Sequence, residues 1–158
     1  MGFAGRSLLF RFVSPARASV SPGRLRALRE QAGLTQHELA GRVGVIGGAR
    51  VSAWEQGRSI PRPETLHKLA AALGVDVAAL FDVGPGGVGV RELRLEAGLT
   101  MDQLARRVSV SVPTVQRWEY GDFKRLPPVA TIDLAAQALG VTRDRVTQAF
   151  QSSRDARS

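Results

Sequence analysis

Two glutamates directly follow the chain's two tryptophans, at Trp54-Glu55 and Trp118-Glu119. A pair of carboxylates can serve general acid–base chemistry if the fold brings the two together. Here each acid recurs at the same place in one of two repeats, so the pair is expected to sit in different domains. No nucleophile–base set accompanies them, and "GPGGVG" at 84–89 does not fit a dinucleotide-binding fingerprint. His37 and His67 are the only histidines; they fall in different predicted helices without a partnered ligand pattern. Cysteine is absent, which removes disulfides and thiolate metal sites. These residues predict no enzyme, no metal and no cofactor.

The chemistry that remains is ionic. Lys and Arg number 22 against 14 Asp and Glu, a formal net charge of +8. Such a balance on a small globular chain points to a polyanion, nucleic acid first among them. The alternative is a basic surface with no partner, because GC-rich codon usage inflates arginine and Arg far outnumbers Lys. No run approaches the length of a membrane span, so no membrane partner is expected and a cytoplasmic, nucleoid-associated location is. Residues 1–20 lack acids and are rich in Arg and Ser. They read as a flexible basic arm; an organelle transit peptide and translation from an upstream start codon are the alternatives.

The elements that must position any site are written twice. "AGLTQHELAGRVGV" at 32–45 and "AGLTMDQLARRVSV" at 97–110 share nine of fourteen residues. The match extends to "VSAWEQG" at 51–57 with "VQRWEYG" at 115–121, and to "LAAALGV" at 69–75 with "AAQALGV" at 135–141. The period is about 65 residues, the mark of a tandem duplication. The predicted layout is an arm over 1–20, a first domain over 21–82, a Gly-rich flexible linker over 83–89, a second domain over 90–151 and a tail over 152–158. Each copy reads as five short helices. Leu25, Leu28 and Ala32 give the first an apolar stripe, and Gly33 stops it. Thr35 with Glu38, and Thr100 with Gln103, form capping boxes at the second. Val51 and Trp54, or Val115 and Trp118, turn the third inward. The fourth starts near Pro63 or Pro128 and ends at Gly74 or Gly140; Asp76 and Thr142 can cap a fifth ending near Phe81 and Phe150.

The second and third helices carry a resemblance. Gly98-Leu99-Thr100, Leu104-Ala105, Val108-Ser109-Val110, Val115, Trp118-Glu119 and Gly121 resemble the helix-turn-helix of the Cro/xenobiotic-response-element family, the phage-repressor type. The first copy repeats the pattern from Gly33 to Gly57. The resemblance covers both repeats and implies an all-α chain of two tandem five-helix, repressor-like domains. Small Ala40 and Ala105 suit the close helix crossing, and Gly44 suits the turn; Ser109 stands at that turn in the second copy.

In this family the third helix enters the major groove. By resemblance Ser111, Val112, Pro113, Thr114, Gln116 and Arg117 face it, with Arg117 able to grip guanine bidentately and Val112 able to touch a thymine methyl. The first copy has an extra residue in "IGGAR", and Gly47 and Gly48 are expected to loosen the start of its third helix. Ala53 stands where Arg117 does, so Arg50 and Ser52 are its remaining base-reading candidates. The family binds phosphate at the N-terminus of its second helix. Thr35 and Gln36 fit in the first copy, and Thr100 in the second, where Met101 replaces the usual Gln. Arg58 and Arg62, or Lys124 and Arg125, add loop cations. The expected function is a DNA-binding transcriptional regulator of bacterial type with double-stranded DNA as partner, the second copy reading bases. The alternative is a protein-interaction module, an antitoxin or adaptor, on the same scaffold. A homodimer or a protein partner stays open.

Overall fold

A computed structural model describes residues 20–84 and 86–157. The arm assigned to residues 1–20 lies outside the described residues apart from Val20. In chain order the helices are α1 (Pro22–Gln31), α2 (Gln36–Val43), α3 (Gly48–Glu55), α4 (Pro63–Leu73), a 3-10 turn (Val77–Leu80), α5 (Val90–Glu96), α6 (Met101–Val108), α7 (Val112–Glu119), α8 (Val129–Leu139) and α9 (Arg143–Asp155).

The local signals act where the sequence places them. Thr35 Oγ1 accepts from the Glu38 N–H at 3.1 Å, and the Thr35 N–H donates to Glu38 Oε2 at 2.7 Å. Thr100 and Gln103 repeat the exchange at 3.1 and 2.9 Å. Each box satisfies two of the donors that a helix start leaves without an internal partner. α4 and α8 end on left-handed Gly74 and Gly140. The turn after α6 needs the same conformation, and Ser109 adopts it at φ 59°, the one described non-glycine residue at positive φ.

Each repeat closes on its own apolar centre. Leu25, Leu39, Val51, Leu66 and Leu69 are fully buried in the first; Leu93, Leu104, Val115 and Val146 are buried in the second. Each such side chain contributes about 1.5–3 kcal/mol relative to exposure. Both tryptophans belong to these cores, and Trp118 meets Phe150 edge-to-face at 5.2 Å.

The repeats differ at their fifth element. In the first it is a four-residue 3-10 turn rather than a full helix. Phe81 then forms a single antiparallel bridge with Val20, and the Ser21 N–H donates to Leu80 O at 2.8 Å. The Gly- and Pro-rich stretch that follows cannot prolong a helix. In the second, Thr142 caps α9, which runs on through a stretch free of Gly and Pro. Residues 152–155, expected from sequence to be tail, are therefore helical, and Ser153 is buried. α8 also starts one residue late: Pro128 is its N-cap, whereas Pro63 lies inside α4.

The second repeat also reaches into the first. α5 packs on α4 and on the 3-10 turn, and its Leu95 is buried in the first repeat's core. Beside it, a ring nitrogen of His67 lies 3.3 Å from the Leu95 carbonyl oxygen. The end of the Gly-rich connection is bonded too. The Gly89 N–H donates to Glu92 Oε2 at 2.7 Å, and the Val90 N–H to Ser153 Oγ at 3.0 Å.

Candidate nucleic-acid interface

Helices α3 and α7 have eight residues each and align in register through Val51/Val115, Trp54/Trp118 and Glu55/Glu119. The expected loosening of α3 does not appear as a shortened helix. The extra residue is absorbed before the helix begins. Gly47 serves as N-cap at φ 73°, and Ile46 stands 97% exposed at the tip of the turn. Gly48 allows a close approach: a Cβ there would come within 3.1 Å of the His37 nitrogen in the first turn of α2.

The inward sides of α3 and α7 match, and the outward sides do not. On α7, Ser111, Val112, Pro113, Gln116 and Arg117 are exposed and Thr114 is half-buried. Ser111 caps the helix: its Oγ accepts from the Thr114 N–H at 3.3 Å and lies 2.8 Å from Thr114 Oγ1. Both hydroxyls are thus partly engaged in holding the helix start, which leaves Gln116 and Arg117 as the long polar side chains on this face. On α3 the register equivalents of Val112, Gln116 and Arg117 are Gly48, Ser52 and Ala53. Ser52 and Ala53 are half-buried, and Ser52 Oγ accepts from Gln56 Nε2 at 3.1 Å. Arg50 is exposed.

The structure places the phosphate candidates around these faces. Thr35 and Thr100 are the exposed N-caps of α2 and α6. Helix geometry leaves the N–H groups of Gln36 and His37, or Met101 and Asp102, to an anion. Each first turn already carries an acid: Glu38 in α2, bonded to the Thr35 N–H, and Asp102 in α6, paired with Arg106 at 2.8 Å. Arg58, Arg62, Lys124 and Arg125 are all exposed in the loops that follow α3 and α7. The Gln36 amide is held, because its Nε2 donates to Glu55 Oε2 at 2.9 Å.

Glu55 and Glu119 are not paired with each other. Each closes a buried ion pair inside its own repeat. Arg29 donates to Glu55 at 2.5 and 3.1 Å and to the Leu34 carbonyl at 2.7 Å. Arg94 does the same with Glu119 and with the Leu99 carbonyl, the latter at 2.8 Å. Each guanidinium thus ties the first helix of its repeat to the end of the third and to the loop before the second. Burial alone would raise the Glu55 carboxyl, but hydrogen bonds from Arg29 and Gln36, with the Arg29 charge, hold it below its ordinary value. Sequence reasoning missed both pairs. The available signal was the recurrence of an arginine at the same place in each copy, together with the acid.

The sequence model of the helix-turn-helix family matches the chain twice in tandem, over residues 25–80 and 90–146. The chain belongs to the Cro/C1-type helix-turn-helix family. No curated protein and no solved structure shows a significant match to it. Membership of this family indicates a DNA-binding regulator, and the family is generally non-enzymatic. In family terms α2–α3 and α6–α7 are the two helix-turn-helix units of one all-α chain. Among the described residues no helix is long and apolar enough to cross a membrane.

Proposed function

We propose that this tandem helix-turn-helix protein regulates transcription by binding double-stranded DNA, with α7 as its principal base-reading helix. The observation that carries the reading is the register comparison of the two third helices. α7 presents exposed Gln116 and Arg117 on the side away from buried Val115 and Trp118, where α3 has Ser52 and Ala53. Arg117 offers the bidentate donor pair that guanine accepts in the major groove. Val112, exposed at the start of α7, suits a thymine methyl. Ser111 and Thr114 fix the entry of the helix and lie close to the strand. Arg50 and Ser52 are the first repeat's groove-facing residues, and there Arg50 holds phosphate rather than a base.

Phosphate contacts come from both repeats: Thr35, Gln36, Arg58 and Arg62 from the first, Thr100, Lys124 and Arg125 from the second. These position the chain without reading sequence. The α5 packing supports one further element of the reading. The two heads are held at a fixed separation, so a single chain supplies what a dimer of single-headed regulators would.

A protein-facing role for the first repeat has Ile46 in its favour, an almost fully exposed apolar side chain at the tip of its turn. Selection of bound duplexes from a random DNA pool tests the two together. A consensus that loses one G·C position in Arg117→Ala supports base reading by α7. A pool that never enriches would sink it and leave the protein-facing reading.

A further inference from the structure

The second repeat carries a structure at the end of α7 that the first lacks, and the helix plan common to the two copies does not account for it. α9 extends past the point where the first repeat's fifth element stops, and its last turn is pinned in place. Ser153 Oγ accepts from the Val90 N–H, and a Cβ on Gly89 would come within 2.8 Å of that oxygen. A Cβ on Gly121, the residue that follows α7 and its cap, would overlap the Ser153 carbonyl. Only glycine lets the α9 backbone lie there. At the register equivalent, Gly57, the nearest atom to such a Cβ is Pro22 Cγ at 3.5 Å.

The consequence is electrostatic. The pinned turn delivers Arg154 and Arg157, both exposed, to one wall of an open cleft of about 710 Å³. Arg117 and Lys124 line the same cleft. Among the described lining residues Asp122 is the one acid, and it forms an ion pair with Arg157. Among the described lining residues, four cations therefore stand with one carboxylate. Sites for small organic ligands are enclosed and mostly apolar; this cleft is open to solvent and cationic, which suits one phosphate of a continuous strand.

We propose that the cleft holds a backbone phosphate of the DNA strand bordering the groove entered by α7, with Arg154 and Arg157 as phosphate ligands peculiar to the second repeat. The proposal rests on the DNA-binding reading above. Asp122 holds Arg157 at the cleft in the free chain. A guanidinium has five N–H donors, so Arg157 can keep Asp122 and take a phosphate oxygen as well. The second repeat would then be the anchoring head, gripping the backbone beside the bases it reads.

The test uses the full chain and its selected duplex, with Arg154→Gln, Arg157→Gln and the double variant, each checked for an unchanged thermal melt. Affinity is measured across a salt series on the selected and on a scrambled duplex, alongside phosphate-ethylation interference. The expected result is an equal fold-loss on both duplexes. The double variant should reduce the log–log salt slope by about 0.9 for each phosphate it no longer neutralises. One interfering phosphate at the edge of the α7 half should disappear. An unchanged slope and interference pattern in a double variant that still binds its site would overturn the cleft assignment and leave the DNA reading intact. A wild-type chain that binds neither duplex overturns both. Inorganic phosphate titrated into the free chain separates the other source of the same chemistry. Saturable phosphate binding that Arg157→Gln abolishes, with the DNA interference pattern unmoved, would assign the cleft to a free anion and overturn the proposal.

Discussion

Glu30 of the first repeat and Leu95 of the second occupy the same register position, one residue after the buried arginine of their helices. Glu30 is exposed and pairs with Arg26 at 3.0 Å; Leu95 is buried in the other repeat's core. The two repeats thus keep one internal plan and differ on their outer surfaces, where duplication left each position free to acquire a new neighbour. The same contrast separates α3 from α7 and the 3-10 turn from α9. What is shared holds the fold together. What differs is where the second repeat has been fitted to the first and, on our reading, to DNA.

The largest expected effect tests the shared part. Glu119→Ala strands a buried guanidinium and should cost about 3–5 kcal/mol of stability, as breaking a buried pair by removing one partner does. Glu55→Ala should cost less, because Arg29 keeps 11% side-chain exposure against 5% for Arg94 and can be hydrated sooner. Urea unfolding of the two variants checks this. An equal or reversed order would mean that the two pairs are not equivalent parts of one plan.

Leu95→Ala comes next, at about 2–3 kcal/mol, the low end for a buried leucine because the site lies between repeats. Its signature is location. Amide exchange should quicken in α4 and the 3-10 turn, which belong to the other repeat, as well as in α5. Quickening confined to α5 would show that the repeats unfold independently and that Leu95 couples nothing. Glu30→Leu, the reciprocal change, should leave exchange in the second repeat untouched.

These cases also show what the sequence could and could not disclose. Capping boxes, glycine stops and the inward faces around Trp54 and Trp118 were legible because each depends on residues within one or two turns. The Arg94–Glu119 pair spans 25 positions, and neither residue type announces burial. Leu95 was opaque for a different reason: an apolar residue beside the stripe looks the same whether it faces water or a second domain. The length of α9 depends on Gly121 and Gly89 admitting its backbone, a non-local condition. The extra residue of "IGGAR" suggested a loosened helix start, and the structure shows Gly47 taking it up in the turn before a helix of full length. Pattern alone could not tell an insertion inside a helix from one before it.

On DNA, Arg117→Ala should weaken binding by about 1–3 kcal/mol and relax preference at one base position. Arg58→Ala and Arg62→Ala should weaken binding to all sequences alike, and Arg50→Ala should behave as they do. Competition assays on the selected site and its single-base variants distinguish the two behaviours. If Arg50→Ala changes the preferred sequence and Arg117→Ala does not, base reading belongs to the first repeat.

The turn between the two helices gives a smaller effect of opposite sign in the two copies. Ser109 holds a left-handed conformation that Gly44 adopts at no steric cost. Ser109→Gly should therefore stabilise the second repeat by about 1 kcal/mol, and Gly44→Ser should destabilise the first by about as much. Thermal melts of both variants check the pair. A neutral Ser109→Gly would mean that the added chain entropy of glycine cancels the relieved strain.

The smallest effect, and the one that separates the repeats most cleanly, is their response to acid. In the first, Glu55 has its carboxyl lowered by Arg29 and Gln36 against the cost of burial, Glu38 is lowered by its hydrogen bonds with Thr35, and Asp82 by those with Ser21 and Arg24. A carboxyl lowered on folding adds stability that is fully present above its unfolded value and fades as pH falls through the folded one. The first repeat should weaken only below the ordinary carboxylate range. Glu92 of the second repeat is pushed the other way by burial, its bond from the Gly89 N–H offsetting only part of that cost. Above the ordinary carboxylate range the unfolded chain has released this proton while the folded chain still holds it. Stability of the second repeat should therefore fall as pH rises through that interval, while the contribution of Glu55 stays constant. Glu92→Gln keeps an acceptor for the Gly89 N–H and removes the titration. Amide exchange in α5 and α9 across mildly acidic pH should show the decline in the wild type and its loss in Glu92→Gln, with α2 unaffected. A decline that survives the substitution would place the titrating group elsewhere and remove this difference between the repeats.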